Sequence, residues 1–349
     1  MNPDQAAGAA AAAGATALVT GASALVSGAT GFLGSRLVGH LQRAGFRVRV
    51  LARPASDLSK IAGSGVEIVH GDMCDEASLR RAAAGQRFVF HTAGKVTDWG
   101  RREEFFRVNA DGTARLIAAC QDAGVERLVH VSSLTVLGLP RTGMTVNEQT
   151  PYAHAPKDPY TASKIAAEMK AREAHGKRGL DVTVIRSGVI WGPGDTTIMP
   201  RFARLLRRGR LPYIGGSRNV IGLSHVDNLC TGIILAATIP GAAGQIYHIT
   251  DGEEITARQA LDGIADALKI ARPKKSLPFW MLFAAAGLLE AGAKLAGRKD
   301  PPPITRYSVR LVSCDCRYDI SKVRRELGYH PEQTFQSGIA GLALAMGDQ

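Results

Sequence analysis

The stretch that decides the fold is "ALVSGATGFLGSRLVGHLQRAGFRVRVLA", residues 24–52. Its first four residues are typical of a short buried strand, and glycines follow at three-residue spacing, at Gly28, Gly31 and Gly34. Leucine and valine then recur at helical spacing, and "RVRVLA" has the apolar character of a second strand. The stretch therefore predicts a strand, a tight glycine turn, a helix and a further strand in succession.

The glycine turn predicts a binding site for the pyrophosphate of a dinucleotide. Glycine lets the turn tighten, lets the backbone approach the pyrophosphate and lets the helix pack against the strand. The first amides of the helix are then free to bind phosphate. The predicted contact residues are Gly28, Thr30, Gly31, Phe32, Leu33 and Gly34.

An earlier copy of the same phrase, "ALVTGAS" at residues 17–23, lacks the second and third glycines of the pattern. We interpret it as a look-alike at the end of an N-terminal tail, and a place at the edge of the sheet is the alternative. Residues 1–16 are dominated by alanine and glycine, and we expect them to be a flexible tail.

The end of the second strand bears on the choice between NAD and NADP. A carboxylate there would bind the ribose hydroxyls and repel a 2′-phosphate, whereas an arginine favours the phosphate. The strand is followed by Arg53 with no acid beside it, and Lys60 lies seven residues further on. The pattern favours NADP over NAD, and the alternative is that Arg53 is only a solvated loop charge.

Further apolar segments at residues 66–72, 87–94, 127–133 and 181–188 alternate with helical patterns. This alternation predicts an α/β fold, a doubly wound parallel sheet of the Rossmann type, with a smaller and mostly helical C-terminal part. Ligands of such sheets bind beyond the carboxyl ends of the strands. The cofactor contacts predicted there are Asp72, Met73, Thr92, Ala93, Gly94, Ser187 and Val189.

The predicted division of the chain follows from these segments. We expect residues 17–190 to form the dinucleotide-binding domain, with a return around residues 221–250. Residues 191–220 and 251–349 are expected to form the substrate-binding part.

The motif "PYTASK" places Tyr160 and Lys164 one turn apart on the same face of a helix. A lysine ammonium near a phenol favours the phenolate and lowers the tyrosine pKa from about 10. Tyr160 is therefore a candidate general acid/base. Ser133 ends the strand at residues 127–133, and its hydroxyl is a candidate donor to a substrate carbonyl. Together these groups predict hydride chemistry at a carbonyl carbon with a nicotinamide cofactor.

Six motifs occur in a fixed order along the chain: "GATGFLG", "HTAG", "VNADGT", "HVSSLTVLG", "PYTASK" and "WGPGD". With them the chain resembles the extended branch of the short-chain dehydrogenase/reductase superfamily. Within that branch, "VFHTAGKVTDWG" and "LARPASD" are similar to bacterial 3β-hydroxysteroid dehydrogenases and dihydroflavonol-reductase-like proteins.

The resemblance implies roles for particular residues. Ser133 matches the catalytic serine, Tyr160 the acid/base, and Lys164 the residue that binds the nicotinamide ribose and tunes the tyrosine. Asn109 matches a position near the active site. The chain departs from many relatives at Ser187, where they have proline. It has leucine at position 137, where many sugar epimerases have tyrosine.

Residues 277–297, "LPFWMLFAAAGLLEAGAKLAG", carry no charge between positions 279 and 289. The run is short for a membrane span of about 20 apolar residues. It predicts a helix over a lipophilic pocket or on a membrane surface, and a buried packing helix is the alternative. The basic stretch at residues 196–215 predicts either a binding site for a phosphorylated substrate or a solvent-exposed helix face.

We therefore expect an NADP-preferring oxidoreductase that interconverts a ketone and a secondary alcohol on a lipophilic, steroid-, terpenoid- or β-keto-type substrate. One alternative is a nucleotide-sugar epimerase or dehydratase with tightly held NAD. The other is a non-enzymatic, dinucleotide-binding scaffold, and the retained tyrosine and lysine argue against it.

Composition limits the partners. The 349 residues have a formal net charge of +12, which attracts polyanions, but no nucleic-acid-binding motif is present, so we expect no nucleic-acid partner. The five scattered cysteines are typical of free thiols in the reducing cytoplasm, and no metal site is predicted.

His91 and His130 are expected to be hydrogen-bonded core residues. Peripheral contact with the inner membrane and a homodimer through helices flanking the sheet are further expectations.

Overall fold

The computed structural model describes residues 19–138, 143–195, 198–209, 211–298 and 300–347. The predicted tail at residues 1–16 lies outside these ranges. The strands in chain order are β1 (Ser23–Ser27), β2 (Arg47–Ala52), β3 (Glu67–His70), β4 (Phe88–His91), β5 (Arg127–Ser133), β6 (Thr145–Val146), β7 (Asp181–Ser187), β8 (Val189–Trp191), β9 (Tyr213–Ile214), β10 (Leu223–His225), β11 (Ile246–Ile249), β12 (Ser276–Leu277) and β13 (Arg317–Tyr318).

The helices in chain order are α1 (Phe32–Arg43), α2 (Glu76–Ala83), α3 (Arg102–Phe105), α4 (Gly112–Asp122), α5 (Pro159–Ala174), α6 (Ile198–Arg207), α7 (Val226–Thr238), α8 (Ala257–Ala267), α9 (Phe279–Leu295), α10 (Arg306–Ser313), α11 (Ser321–Leu327) and α12 (Phe335–Gly347). Short 3-10 turns occupy Ser59–Ile61, Leu134–Leu137, Lys177–Gly179 and Pro240–Ala242.

Seven of the strands form one parallel sheet in the order β11-β7-β5-β4-β1-β2-β3. The doubly wound α/β fold predicted from the sequence is therefore confirmed. The chain reverses direction across the sheet between β1 and β4, and such a switch point opens a crevice beyond the strand ends. The glycine turn follows β1 and the "HTAG" segment follows β4, so the fold brings both to this crevice.

Apolar side chains cover both faces of the sheet. On one face, α1 packs with α7 through residues such as Leu37, Leu41 and Leu229, all of which are fully buried. On the other face, α2, α4 and α5 contribute Leu79, Leu116 and their neighbours. A third, smaller cluster surrounds Trp191 and joins α6, α8 and α12.

Two local features differ from the sequence expectation. The helical pattern expected between the segments at residues 87–94 and 127–133 is interrupted by a π-helical segment, Phe106–Asp111. The described end of the look-alike phrase forms a turn, in which Val19 is buried and the Gly21 amide donates to the Gly45 carbonyl at 2.8 Å. This turn leads into β1 and adds no strand to the sheet.

The apolar segment at residues 277–297 forms α9. No helix within the described ranges is long and apolar enough to cross a membrane.

Candidate active site

The turn between β1 and α1 is built so that the backbone lies close to the crevice. Gly28 has φ of +78°, and a Cβ there would lie 2.7 Å from the backbone of Ala93. A Cβ on Gly34 would overlap the Gly28 carbonyl, and the Gly31 amide donates to that carbonyl at 3.0 Å. Glycine at 28 and 34 is therefore a steric requirement of the turn.

The amino end of α1 fits an anionic ligand. Gly31 caps the helix with extended backbone and no side chain to accept from the first amides. Such amides, together with the positive end of the helix dipole, bind phosphate. Thr30, Phe32 and Leu33 lie in or directly after the turn, so the six residues predicted for the pyrophosphate are brought together. This cradle fits the pyrophosphate of a dinucleotide.

Residues after β4 form the opposite wall of the crevice. The Thr92 hydroxyl donates to the Ser27 carbonyl at 2.7 Å, and Ala93 lies against Gly28. A Cβ on Gly94 would lie 3.3 Å from Oδ1 of Asn109. The sequence-predicted segment at residues 92–94 therefore lies beside the glycine turn.

The other residues predicted to contact the cofactor lie after β3 and at the junction between β7 and β8. The Asp72 carboxylate accepts from the Cys74 amide at 2.8 Å. Met73 has its side chain in the core against Gly112, so only its backbone can face the crevice. Ser187 ends β7 opposite Ser133, and Val189 begins β8.

Arg53 and Lys60 are both exposed beyond the end of β2. Lys60 lines a groove of about 370 Å³, whose other walls include Phe32, Arg36 and Gly194. The groove borders the amino end of α1, so a cation beside the predicted pyrophosphate site is available there.

Tyr160 and Ser133 meet at the carboxyl end of β5. Tyr160 is in the first turn of α5, whose start is fixed by Asp158, which accepts from the Thr161 amide at 2.7 Å. Ser133 lies close enough to Tyr160 to favour its ionised form, and the Ser133 hydroxyl accepts from the Thr135 hydroxyl at 3.0 Å. Burial raises the pKa of Tyr160 to about 12, with Ser133 opposing the rise. The sequence expectation of a lowered pKa is therefore wrong for this structure, and Tyr160 carries its proton at neutral pH.

Lys164 lies one turn further along α5 and is 7% exposed. Its Nζ donates to the Val131 carbonyl at 2.7 Å. Burial lowers the pKa of Lys164 to about 8, against the attraction of Glu168. Its ammonium is thus bound to the backbone of β5, the same strand that supplies Ser133.

Asn109 joins two parts of the site. Its Oδ1 accepts from the Lys95 amide at 2.7 Å, and its Nδ2 donates to the Ser163 hydroxyl at 2.9 Å. The π-helical segment that carries Asn109 turns this side chain between the loop after β4 and helix α5. The family resemblance alone indicated this position.

A buried polar cluster beneath the site was missed by sequence reasoning. Glu168 accepts from the Ser132 hydroxyl at 2.5 Å, from Arg186 at 2.7 Å and from the Tyr152 hydroxyl at 3.0 Å. Glu168 is 0% exposed and Arg186 2%. Spacing offered one signal, because Glu168 lies four residues after Lys164 on the same helix face.

Tyr307 on α10 was also missed. Burial and the nearby Tyr160 raise its pKa. A second phenol is therefore close to the first, although the two are 147 residues apart in the sequence. Only the tertiary structure reveals this neighbour.

The two strand histidines differ from each other. The His91 Nδ1 lies 2.8 Å from the Ser27 hydroxyl, and its Nε2 lies 2.8 Å from the Thr113 hydroxyl. Both ring nitrogens of His130 are buried, without a hydrogen-bond partner among the described residues. The expectation of a hydrogen-bonded histidine was therefore wrong for His130. In the same described part of the chain, no group of three candidate ligands could hold a metal ion.

Comparison with known proteins identifies the family to which the chain belongs. Residues 24–250 match the family model of the NAD dependent epimerase/dehydratase family. The chain is 32% identical over 316 residues to 4-hydroxy-2-methyl-3-oxo-4-farnesyl-3,4-dihydroquinoline-1-oxide ketoreductase of Stigmatella aurantiaca, covering 90% of this chain and 94% of that protein. It is 30% identical to the decarboxylating sterol-4-alpha-carboxylate 3-dehydrogenase of Mus musculus, covering 89% and 87%.

Among solved structures, the chain is similar to DesIV, the dTDP-glucose 4,6-dehydratase of Streptomyces venezuelae, which has NAD bound. The TM-score is 0.76 at 29% identity, covering 94% of this chain and 97% of that one. The chain therefore belongs to the NAD dependent epimerase/dehydratase family of the extended short-chain dehydrogenase/reductases, and it is an oxidoreductase of that superfamily.

Proposed function

We propose that this oxidoreductase prefers NADP and interconverts a ketone and a secondary alcohol on a lipophilic substrate. The observation that carries the proposal is the pair of hydroxyl side chains at the end of β5, where Ser133 lies beside a protonated Tyr160. Both hydroxyls lie on elements that border the same crevice as the glycine turn. The arrangement supports proton transfer to a carbonyl oxygen beside a bound dinucleotide.

The proposed roles follow from the state of each side chain. When bound, the nicotinamide cofactor supplies or accepts the hydride. Tyr160, which retains its proton at neutral pH, donates that proton to the carbonyl oxygen during reduction. The Ser133 hydroxyl hydrogen-bonds the same oxygen and holds it within reach of Tyr160. Lys164 provides a cation below its pKa of about 8 that compensates charge developing on the phenol.

The cradle at Gly28, Gly31 and Gly34 would hold the pyrophosphate, and we expect Asp72, in the loop after β3, to contact the adenine. Arg53 and Lys60 support the choice of NADP, because both are exposed cations near the end of β2 and no acid follows that strand directly. A 2′-phosphate would be attracted to them.

The surroundings of Tyr160 and the relatives of the chain both bear on the class of substrate. Tyr307 of α10 is near Tyr160, and α10 packs against the apolar α9. One relative acts on a farnesylated ketone by its name, and another on a sterol. The lipophilic compounds named for these relatives favour a molecule of this kind over a nucleotide sugar.

Oxidation of NADPH against keto-steroids, aliphatic β-keto compounds and nucleotide sugars tests the proposal. We expect turnover with a lipophilic ketone, and the rate to fall above about pH 8 as Lys164 loses its proton. Tyr160→Phe should reduce kcat by at least about a hundredfold, the usual contribution of a positioned acid. NADPH affinity, measured by fluorescence, should be nearly unchanged.

Two outcomes would contradict the proposal. Undiminished turnover in Tyr160→Phe would remove the acid role from this residue. Purification with bound NAD, together with thermal stabilisation by a UDP- or dTDP-sugar and no ketone reduction, would support a nucleotide-sugar epimerase or dehydratase instead.

A further inference from the structure

Helix α9 has an apolar face that is uncovered in the folded chain. Leu295 is 91% exposed, Leu288 77% and Trp280 68%. Met281, Ala284 and Ala291 continue the same face at helical spacing and are also exposed. The 17-residue helix is about 25 Å long at 1.5 Å per residue, and the exposed stripe extends along most of that length.

The opposite face of α9 is buried against α10. Ala286 and Ala293 are buried there, and the Glu290 carboxylate accepts from the Arg306 amide at 2.6 Å and from its guanidinium at 2.8 Å. The helix is therefore anchored by packing and by an ion pair, with its apolar stripe directed away from the protein.

Basic residues lie at both ends of the stripe. Lys274 and Lys275 precede α9, and Lys294 and Arg298 lie at its carboxyl end, all exposed. Within residues 272–298 the only acidic residue is Glu290, which Arg306 neutralises. The exposed surface thus combines an apolar centre with cations at each end. This is the composition of helices that lie in the plane of an anionic membrane surface.

The charges argue against a second copy as the occupant. Two copies packed through this stripe would bring cations against cations, whether the helices ran parallel or antiparallel. Like charges at an interface are unfavourable. An anionic lipid surface would be attracted by the same cations while its acyl region covers the leucines.

We propose that α9 lies in the interface of an anionic bilayer, with Trp280, Leu288 and Leu295 inserted and the flanking lysines and arginine bound to lipid headgroups. Because α9 packs on α10, which carries Tyr307, this docking would bring the part of the site around Tyr307 close to the membrane. Entry of a lipophilic substrate from the bilayer rests on the proposed function, whereas binding to the bilayer does not.

Flotation with lipid vesicles tests the docking. The full chain is mixed with vesicles of phosphatidylglycerol and phosphatidylcholine, or of phosphatidylcholine alone, and the bound fraction is measured. We expect binding to the anionic vesicles, at least tenfold weaker binding to the neutral ones, and release as salt is raised. Leu288→Glu, on the exposed stripe, should weaken binding at least tenfold.

Ile68→Glu is the matched control, because it places the same charge on a 40% exposed apolar residue of the edge strand β3. It should bind the vesicles as the parent protein does. Tyr160→Phe should also bind fully, which separates this proposal from the reductase proposal. Protein that stays unbound with anionic vesicles overturns the docking. A parent dimer that Leu288→Glu converts to monomer, without vesicle binding, would assign the stripe to a second copy instead.

Discussion

Arg53 is an exposed side chain directly after β2, and its proposed role is specific to one cofactor. We expect Arg53→Ala to weaken NADPH binding about tenfold, the equivalent of about 1.4 kcal/mol, and to leave NADH binding within about twofold. The 2′-phosphate is the only group that distinguishes the two cofactors, so the difference reports the contact. Fluorescence titration of both nucleotides measures it.

Arg81→Ala on α2 is the control for Arg53, since it removes an exposed arginine away from the end of β2. It should change neither affinity. Equal losses for NADPH and NADH in Arg53→Ala would mean that the arginine contributes no selectivity for the phosphate.

The sequence predicted the relative positions of the candidate residues better than their ionisation. The spacing of Tyr160 and Lys164 gives one helix face, but the pKa of a phenol also depends on how much water reaches it. Burial raises the Tyr160 pKa, and Lys164 binds the Val131 carbonyl. His130 shows the same limit, because a strand pattern predicts burial without predicting the hydrogen-bond partners of the buried group.

At the scale of elements, the turn between β1 and α1 allows a matched comparison of two glycines. Gly28 and Gly85 both have positive φ, at +78° and +70°. A methyl at Gly28 would collide with Ala93, whereas one at Gly85 has no atom within 4 Å. We expect Gly85→Ala to cost only the backbone strain of about 1 kcal/mol.

Gly28→Ala should lose clearly more stability than Gly85→Ala, because the backbone of Ala93 must move in addition. It should also weaken NADPH binding at least about tenfold by distorting the cradle. Thermal unfolding and nucleotide titration of the two variants are the measurements. Equal behaviour of both would show that the close approach of the turn to the "HTAG" segment has no functional importance.

The boundaries of the elements were largely predictable. The strands β2 and β5 occupy the segments expected from their sequences, β2 from valines that alternate with arginines and β5 from a short buried run. The π-helical interruption at residues 106–111 was not predictable, because its single-turn widening is stabilised by tertiary contacts such as those of Asn109. Its apolar spacing differs little from that of a continuous helix.

For the whole molecule, ordered motifs predicted the fold class because "GATGFLG", "HTAG" and "HVSSLTVLG" each lie at a strand end that borders the same crevice. They did not predict the polar contacts that connect the central strands of the sheet to helix α5. Glu168 of α5 reaches Ser132 on β5 and Arg186 on β7, and Tyr152 closes the cluster from a loop. The partners come from segments that only the folded chain brings together.

A double-mutant cycle of Glu168 and Arg186 measures the energetic coupling within this cluster. Glu168→Gln leaves the Arg186 guanidinium, 2% exposed, without its counter-charge, and removing one partner of a buried pair costs about 3–5 kcal/mol. Arg186→Met should cost a similar amount. The double variant should lose less stability than the sum of the two single variants, with a coupling free energy of about 1–3 kcal/mol measured by urea unfolding.

The pair Arg80–Glu76 on α2, with both side chains 55% exposed, is the control and should couple by only about 0.3–0.5 kcal/mol. Equal coupling in the two cycles would mean that burial adds nothing to the central pair. The expected result is strong coupling between Glu168 and Arg186 and weak coupling in the control pair. It would show that a buried charge pair helps to hold the helix carrying Tyr160 and Lys164 on the sheet.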